Sequence, residues 1–261
     1  GLEYEGASFK GWQKQNSLPT VQYALEQAIS KVIQSNVDVF CAGRTDAGVH
    51  GLGQVVHFDT PVERPMQAWI KGVNTHLPKS IRIKWAKVVS SDFHARYSAT
   101  SRKYLYFLYS DPVSPGLLNQ GVTWVYYPLN VDAMRQAAQH WVGEHDFSAF
   151  RASDCQSKSP IRHLYGFDVE QMGKLTVLAV HANAFLHHMI RNMVGTLLCI
   201  GRGFKGPEYA NEVLLSRNRQ MAPPMASPAG LYLYDVRYPA DYDLPEVKNT
   251  PWFMQANQLT M

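Results

Sequence analysis

The sequence predicts an α+β fold: two similar mixed domains in which helices pack on largely antiparallel sheets. Three observations lead there. Strand-like apolar runs recur along the chain, several of them alternate apolar with polar residues, and segments of helical period lie between them. Ile81-Arg82-Ile83-Lys84-Trp85 shows the alternation most clearly, the pattern of a sheet with one face buried and one wet, which favours antiparallel pairing.

The elements follow in order. The chain opens at Gly1 directly in strand-like Leu2-Glu3-Tyr4, which suggests that native residues are missing upstream. Val21–Ile33 places Val21, Ala24, Leu25, Ala28, Ile29 and Val32 at helical spacing, with Thr20 positioned as its N-cap. Strands are expected at 37–41, 55–58, 81–89, 104–109, 164–169, 175–181 and 231–238, and further helices at 66–74, 132–142, 184–200 and 208–215. Polar Ser90–Ser101 separates two strong strand signals, so a boundary is placed near residue 96, giving domains 1–96 and 97–261. Ala222-Pro223-Pro224-Met225 and the tail after Asp241 read as loop, and Asn249 to Met261 carry little pattern.

Composition sets the outer limits. With 261 residues, 46% hydrophobic and 18% charged, the chain has the balance of a soluble globular protein. No run approaches the ~20 apolar residues of a membrane span. The segment Ala184 to Ile200 comes nearest, but His187, His188, Arg191 and Asn192 interrupt it. Cys41, Cys155 and Cys199 are odd in number and form no CxxC pair, so neither a disulfide framework nor a zinc ribbon is indicated, and a reducing, cytoplasmic setting fits. A net charge of +4 is compatible with an RNA partner without requiring one.

The densest chemistry lies in Gly43-Arg44-Thr45-Asp46-Ala47-Gly48-Val49-His50-Gly51-Leu52-Gly53, between the strand ending near Cys41 and that starting near Val55. Its glycines let backbone approach a ligand closely. Arg44 stands two residues before a lone carboxylate and would favour its ionised, nucleophilic form. On these residues alone a glycine-rich hairpin in which Asp46 caps a turn is the commoner explanation. Three other signals point elsewhere. Gly201-Arg202-Gly203-Phe204-Lys205-Gly206 matches GxGxxG, but it follows a helix rather than a strand and reads as helix termination. His187 and His188 adjoin without a third ligand, so no metal is assigned. No GxSxG elbow or Walker A loop is present.

Ala42-Gly43-Arg44-Thr45-Asp46-Ala47-Gly48-Val49-His50 resembles the signature of the TruA family of tRNA pseudouridine synthases. Gly11-Trp12-Gln13-Lys14-Gln15, Asp92-Phe93-His94-Ala95-Arg96, Ser101-Arg102-Lys103-Tyr104, Phe147-Ser148-Ala149-Phe150-Arg151 and Phe185-Leu186-His187-His188-Met189-Ile190-Arg191-Asn192 resemble further family segments, in the family's order. The resemblance implies an isomerase that converts uridine to pseudouridine at tRNA positions 38, 39 and 40 in the anticodon arm, with Asp46 as nucleophile. It implies Tyr104 as the active-site tyrosine and Arg191 as the basic residue that pairs with Asp46, meeting in a positively charged cleft between the domains. Neither cofactor nor metal is implied. Lys10, Lys14, Arg44, Thr45, His50, Arg96, Arg102, Lys103, Arg151, Lys158, Arg162 and Arg202 are the expected RNA-binding residues, tRNA the partner, and a homodimer the working form. A catalytically silent RNA-binding protein on the same scaffold is the alternative. The intact Arg44-Thr45-Asp46 core with Tyr104 and Arg191 favours the enzyme. A carboxylate-dependent glycosidase would want a second catalytic carboxylate, which the sequence does not nominate.

Overall fold

A computed structural model describes residues 1–246; the expectation for Asn249 to Met261 lies outside the described residues. The chain divides into two compact units, one of Gly1–Thr100 with the chain from Tyr232 onward, the other of Ser101–Leu231. The sequence places its boundary at 96 and leaves the last strand in the second domain, whereas here that strand is part of the first unit.

In the first unit, β1 (Leu2–Tyr4) lies antiparallel to both β3 (His50–Gln54) and β5 (Ile81–Ile83). The late strand β11 (Leu231–Arg237) adds to β3 in parallel, pairing Tyr232 with His50 and Leu233 with Gly51. A separate antiparallel ribbon joins β2 (Phe40–Cys41) to β4 (Val56–His57). Helix α1 (Val21–Ile33) has the bounds its period predicts. The Thr20 hydroxyl accepts the Tyr23 N–H, and Gln34 ends the helix in the left-handed region. Its buried stripe of Val21, Leu25, Ala28 and Ile29 joins Leu2, Tyr4, Trp12, Trp69 and Ile81 in one core. Burying each large aliphatic side chain of that stripe contributes on the order of 1.5–3 kcal/mol. The helix expected at 66–74 is a π-helical turn over Ala68–Gly72 running into α2 (Val73–His76).

The second unit is built on β6 (Ser101–Ser110), whose middle residues Tyr104 to Leu108 are all buried. Burial on both faces explains why Tyr104-Leu105-Tyr106-Phe107-Leu108-Tyr109 reads as a continuous apolar run rather than an alternation. β10 (Leu175–Ala182) is antiparallel to β6 and to β9 (Ile161–Met172), β8 (Gly143–Asp146) is antiparallel to β9, and β7 (Thr123–Val125) is parallel to β6. α3 (Val131–Gln139) packs on β9 and on α4 (Met189–Gly201), with α5 (Tyr209–Ser216) beside both helices. Trp141, Phe147, Phe150 and Phe167 are fully buried in this core. α4 begins at Met189, not Ala184, because His188 takes a left-handed φ of 62° that a helix cannot continue. Arg202 ends the helix and Gly203 follows at φ 79°, the termination expected of the GxGxxG segment.

The architecture is therefore α+β with mixed, mostly antiparallel sheet. Among the described residues no helix is long and apolar enough to cross a membrane.

Candidate functional site

Asp46 sits between β2 and β3, on a loop whose backbone is fastened to the residues before α1. The Trp12 N–H donates to the Thr45 carbonyl at 3.0 Å and the Gly48 N–H to the Phe9 carbonyl at 3.4 Å. The Val49 N–H donates to the Asp46 carbonyl at 3.1 Å, closing a turn in which Gly48 takes φ 78°. Gln54 Nε2 donates to the Gly43 carbonyl at 2.7 Å, and the buried Tyr4 hydroxyl lies 2.8 Å from Thr45 Oγ1. Every residue from Gly43 to Val49 is therefore fixed directly or through a neighbour, and the Asp46 side chain leaves this frame half-buried. A carboxylate held this way is positioned before any substrate arrives, which is how orientation lowers a barrier. Arg44 points from the same loop and is exposed.

Gly11 belongs to this frame. Its φ is 92°, and a Cβ there would lie 2.9 Å from the Thr45 carbonyl oxygen and 3.2 Å from the Asp46 carbonyl carbon. Only a residue without a side chain lets the two segments meet.

In the second unit, Tyr104 on β6 pairs with Val180 of β10 and stands edge-on to Phe185, ring centroids 5.0 Å apart. Arg191, in the first turn of α4, is 8% exposed. Its Nε donates to the Ala226 carbonyl at 3.0 Å while its own carbonyl accepts the Ala226 N–H at 3.0 Å. This reciprocal pair aims the guanidinium by its Nε. Asn192 beside it donates to the Phe150 carbonyl at 2.8 Å and accepts from Arg219 at 3.0 Å.

The residues expected on an RNA surface fall into distinct settings. Lys10, Arg44, Arg96, Lys158 and Arg202 are exposed. Arg202 lies over the rings of Tyr127 and Phe204, at 4.1 and 4.4 Å. Lys14 is exposed but pairs at 2.9 Å with Glu26, a buried carboxylate that also accepts Gln22 Nε2 and the Val39 N–H. That bond, with the Glu26 charge, raises the Lys14 pKa. Thr45 is buried, its hydroxyl against Tyr4. His50 is buried on β3 rather than in a loop: its Nδ1 accepts the Gly6 N–H at 3.1 Å and its ring stacks on Tyr232 at 4.5 Å. Arg102 is buried and donates to the Asn183 carbonyl, while Lys103 beside it on β6 is half-buried. Arg151 donates to the carbonyls of Cys155 and Ser157, and Arg162 to Ser157 Oγ and the Ser159 carbonyl. These two guanidiniums shape the 151–160 loop from within. His187 bonds Asp154 at 2.9 Å through Nδ1 and its ring lies on His188.

Sequence reading did not find the parts that hold the loop. Tyr4 reads as one more strand residue, and its bond to Thr45 spans 41 positions. Ala226 acts through its backbone, which no residue type announces.

A family model described as tRNA pseudouridine synthase matches residues 2–98 and 137–239. A tRNA pseudouridine synthase A of Shewanella frigidimarina is 51% identical over 254 residues, covering 97% of each chain. That of Pseudomonas aeruginosa is 50% identical over 255 residues, 97% of this chain and 90% of the relative. That of Vibrio cholerae is 48% identical over 257 residues, 98% of this chain and 97% of the relative.

Proposed function

Because this chain belongs to the tRNA pseudouridine synthase family and isomerises uridine to pseudouridine in tRNA, we propose that Asp46 is the nucleophile of that reaction. The observation that carries the assignment is the frame around Asp46, a carboxylate on a loop clamped at Thr45, Asp46 and Gly48. The isomerisation breaks the bond between N1 of uracil and C1′ of ribose, turns the base, and forms a bond between C5 and C1′. C5 loses its proton and N1 ends with one, so no redox partner, group donor or water enters the balance. A carboxylate suits either point of attack, C1′ of the ribose or C6 of the uracil, because it can form a covalent adduct and later leave.

Tyr104 is proposed to stack on the flipped uracil and to move the C5 proton. Arg191 is proposed to keep Asp46 ionised, and its fixed Nε supports that role. The targets are proposed to be uridines 38, 39 and 40 of the anticodon arm, bound by a homodimer. Accepting neighbouring positions calls for recognition of shape more than base sequence. The exposed cations Lys10, Arg44, Arg96, Lys158 and Arg202 are proposed to neutralise phosphates, so affinity should fall steeply with salt. The three free cysteines suit a reducing cytoplasm.

The test is release of tritium from C5-labelled uridine in a tRNA transcript by wild type and Asp46→Asn. Asp46→Asn should keep tRNA affinity and lose turnover. Turnover by the variant would remove Asp46 as nucleophile, and loss of tRNA binding instead would make it a structural residue.

A further inference from the structure

In the first unit, four rings run in contact across one surface. Phe40 of β2 stacks on His57 of β4 with centroids 5.1 Å apart and planes at 22°. His57 meets His94 at 4.5 Å, and His94 meets Tyr97 at 4.3 Å. The two end rings are open to solvent, Phe40 at 49% and Tyr97 at 76% exposure. A single exposed ring is unremarkable on a protein surface, but a contiguous row with open ends, its inner rings tilted at 59° and 33°, presents an extended aromatic surface.

The row is built to be rigid. His57 Nδ1 accepts the Ala95 N–H at 3.1 Å, and His94 Nδ1 accepts those of Arg96 and Tyr97 at 3.1 and 3.3 Å. One short loop thus holds both imidazoles, and it is anchored in turn by the Tyr238 hydroxyl, which donates to the Ala95 carbonyl at 2.6 Å. Each Nδ1 acts as an acceptor, so these bonds fix the orientation of both rings. The surroundings of the row are positive. Arg96 lies over the Tyr97 ring at 5.7 Å, and the charges of Arg44 and Arg96 both reach the Cys41 thiol, next in the chain after Phe40. An aromatic face rimmed by guanidiniums suits a nucleobase with its flanking phosphates, since stacking accepts any base and the cations take the backbone.

We propose that Phe40, His57, His94 and Tyr97, with Arg96 at the edge, form a stacking platform for one unpaired base of the RNA substrate. β2 leads from Phe40 straight into the loop that carries Asp46, so the base held here belongs to a nucleotide near the target uridine. The platform serves binding and registers the RNA; it takes no part in bond making. The inference rests on tRNA being the substrate.

The experiment measures the dissociation constant for a tRNA transcript across a salt series with wild type, Tyr97→Ala, Tyr97→Phe and Arg96→Ala. Tyr97→Ala should weaken binding by about 5- to 150-fold, the range of one base–aromatic stack, with the salt slope unchanged. Tyr97→Phe should restore wild-type affinity, and Arg96→Ala should reduce the slope by about one counterion. Because Tyr97 is exposed, its loss should leave the thermal transition in place. If wild type binds and converts tRNA and Tyr97→Ala binds equally well, the platform is overturned while the enzymatic reading stands. A change in sedimentation of the RNA-free protein on Tyr97→Ala, with tRNA affinity unaltered, would overturn it too and identify a self-association face.

Discussion

Substituting Gly11 by alanine tests whether the Asp46 loop is held by its neighbours. The change adds one methyl group, and the structure indicates two separate costs. At φ 92° an L side chain crowds its own backbone, which costs about 1–3 kcal/mol. The new Cβ also lies 2.9 Å from the Thr45 carbonyl oxygen and 3.1 Å from the Ala47 nitrogen, and both neighbours are backbone. To reach ordinary contact the loop must retreat by roughly half an ångström, and a well-packed interior resists such shifts at about 1–3 kcal/mol. Together the loss is about 2–6 kcal/mol. At roughly 2–4 °C per kcal/mol for a chain of this size, the melting temperature should fall by about 4–24 °C. The retreat moves Asp46 itself. If a misplacement of ~1 Å costs about a hundredfold, half of that should slow single-turnover tritium release by about tenfold. Gly173→Ala is the control. Gly173 has φ 61° with nothing within 4 Å of a Cβ, in the tight turn between β9 and β10, so it carries strain alone. It should lose about 1–2 kcal/mol and keep full turnover. Wild-type turnover by Gly11→Ala, or equal losses of turnover in both variants, would refute the claim that the Gly11 segment positions Asp46.

Two further outcomes follow from the titrating groups. Burial, and then the neighbouring His94, lower the His57 pKa below its ordinary 6.5, with Asp59 opposing. The unfolded chain therefore takes up this proton first, so stability should decline as pH falls below about 6.5, and His57→Asn should flatten that decline in urea titrations; an unchanged profile would count against it. The cysteines should alkylate in a set order near neutral pH. Burial pushes the Cys41 thiol up to about 12 and also raises that of Cys199. Burial works against Cys155 as well, but N–H bonds from Ser157 and His187 and the Arg151 guanidinium hold its pKa below the usual thiol value. Limited iodoacetamide treatment followed by peptide mass spectrometry should find Cys155 modified first and Cys41 last; the reverse order would show that these environments are misread.

Much of the architecture is legible in the chain because it is local. α1 follows from six apolar residues at helical spacing and Thr20, and β6 from an uninterrupted apolar run, since periodicity records which faces are buried. β3 is the instructive failure. Its residues His50-Gly51-Leu52-Gly53-Gln54 have poor strand propensity, so the sequence reads them as loop. They form a strand because β1 and β11 pair with them on either side, and those neighbours come too close for side chains at the glycines. A Cβ on Gly51 would lie 2.5 Å from the Tyr4 ring, and one on Gly53 would strike the Tyr234 carbonyl. Packing there overrides propensity. β7 and β8, three and four residues long, are too short to leave a period.

The site divides along the same line. The family was legible in the chain, because the motifs that resemble it run in order from Gly11 to Asn192; Arg44-Thr45-Asp46 among glycines reads locally as a turn, and the resemblance alone nominates its carboxylate. What holds that carboxylate, and which cations stand at the surface, is set by the tertiary fold alone. Tyr4 meets Thr45 across 41 positions, β11 returns from the far end of the chain to pair with β3, and Arg102 and His50 turn inward while Arg96 stays at the surface. Those outcomes depend on close approach between segments distant in sequence, where a hydrogen bond or the absence of a methyl group matters more than residue type, and no local pattern encodes such distances.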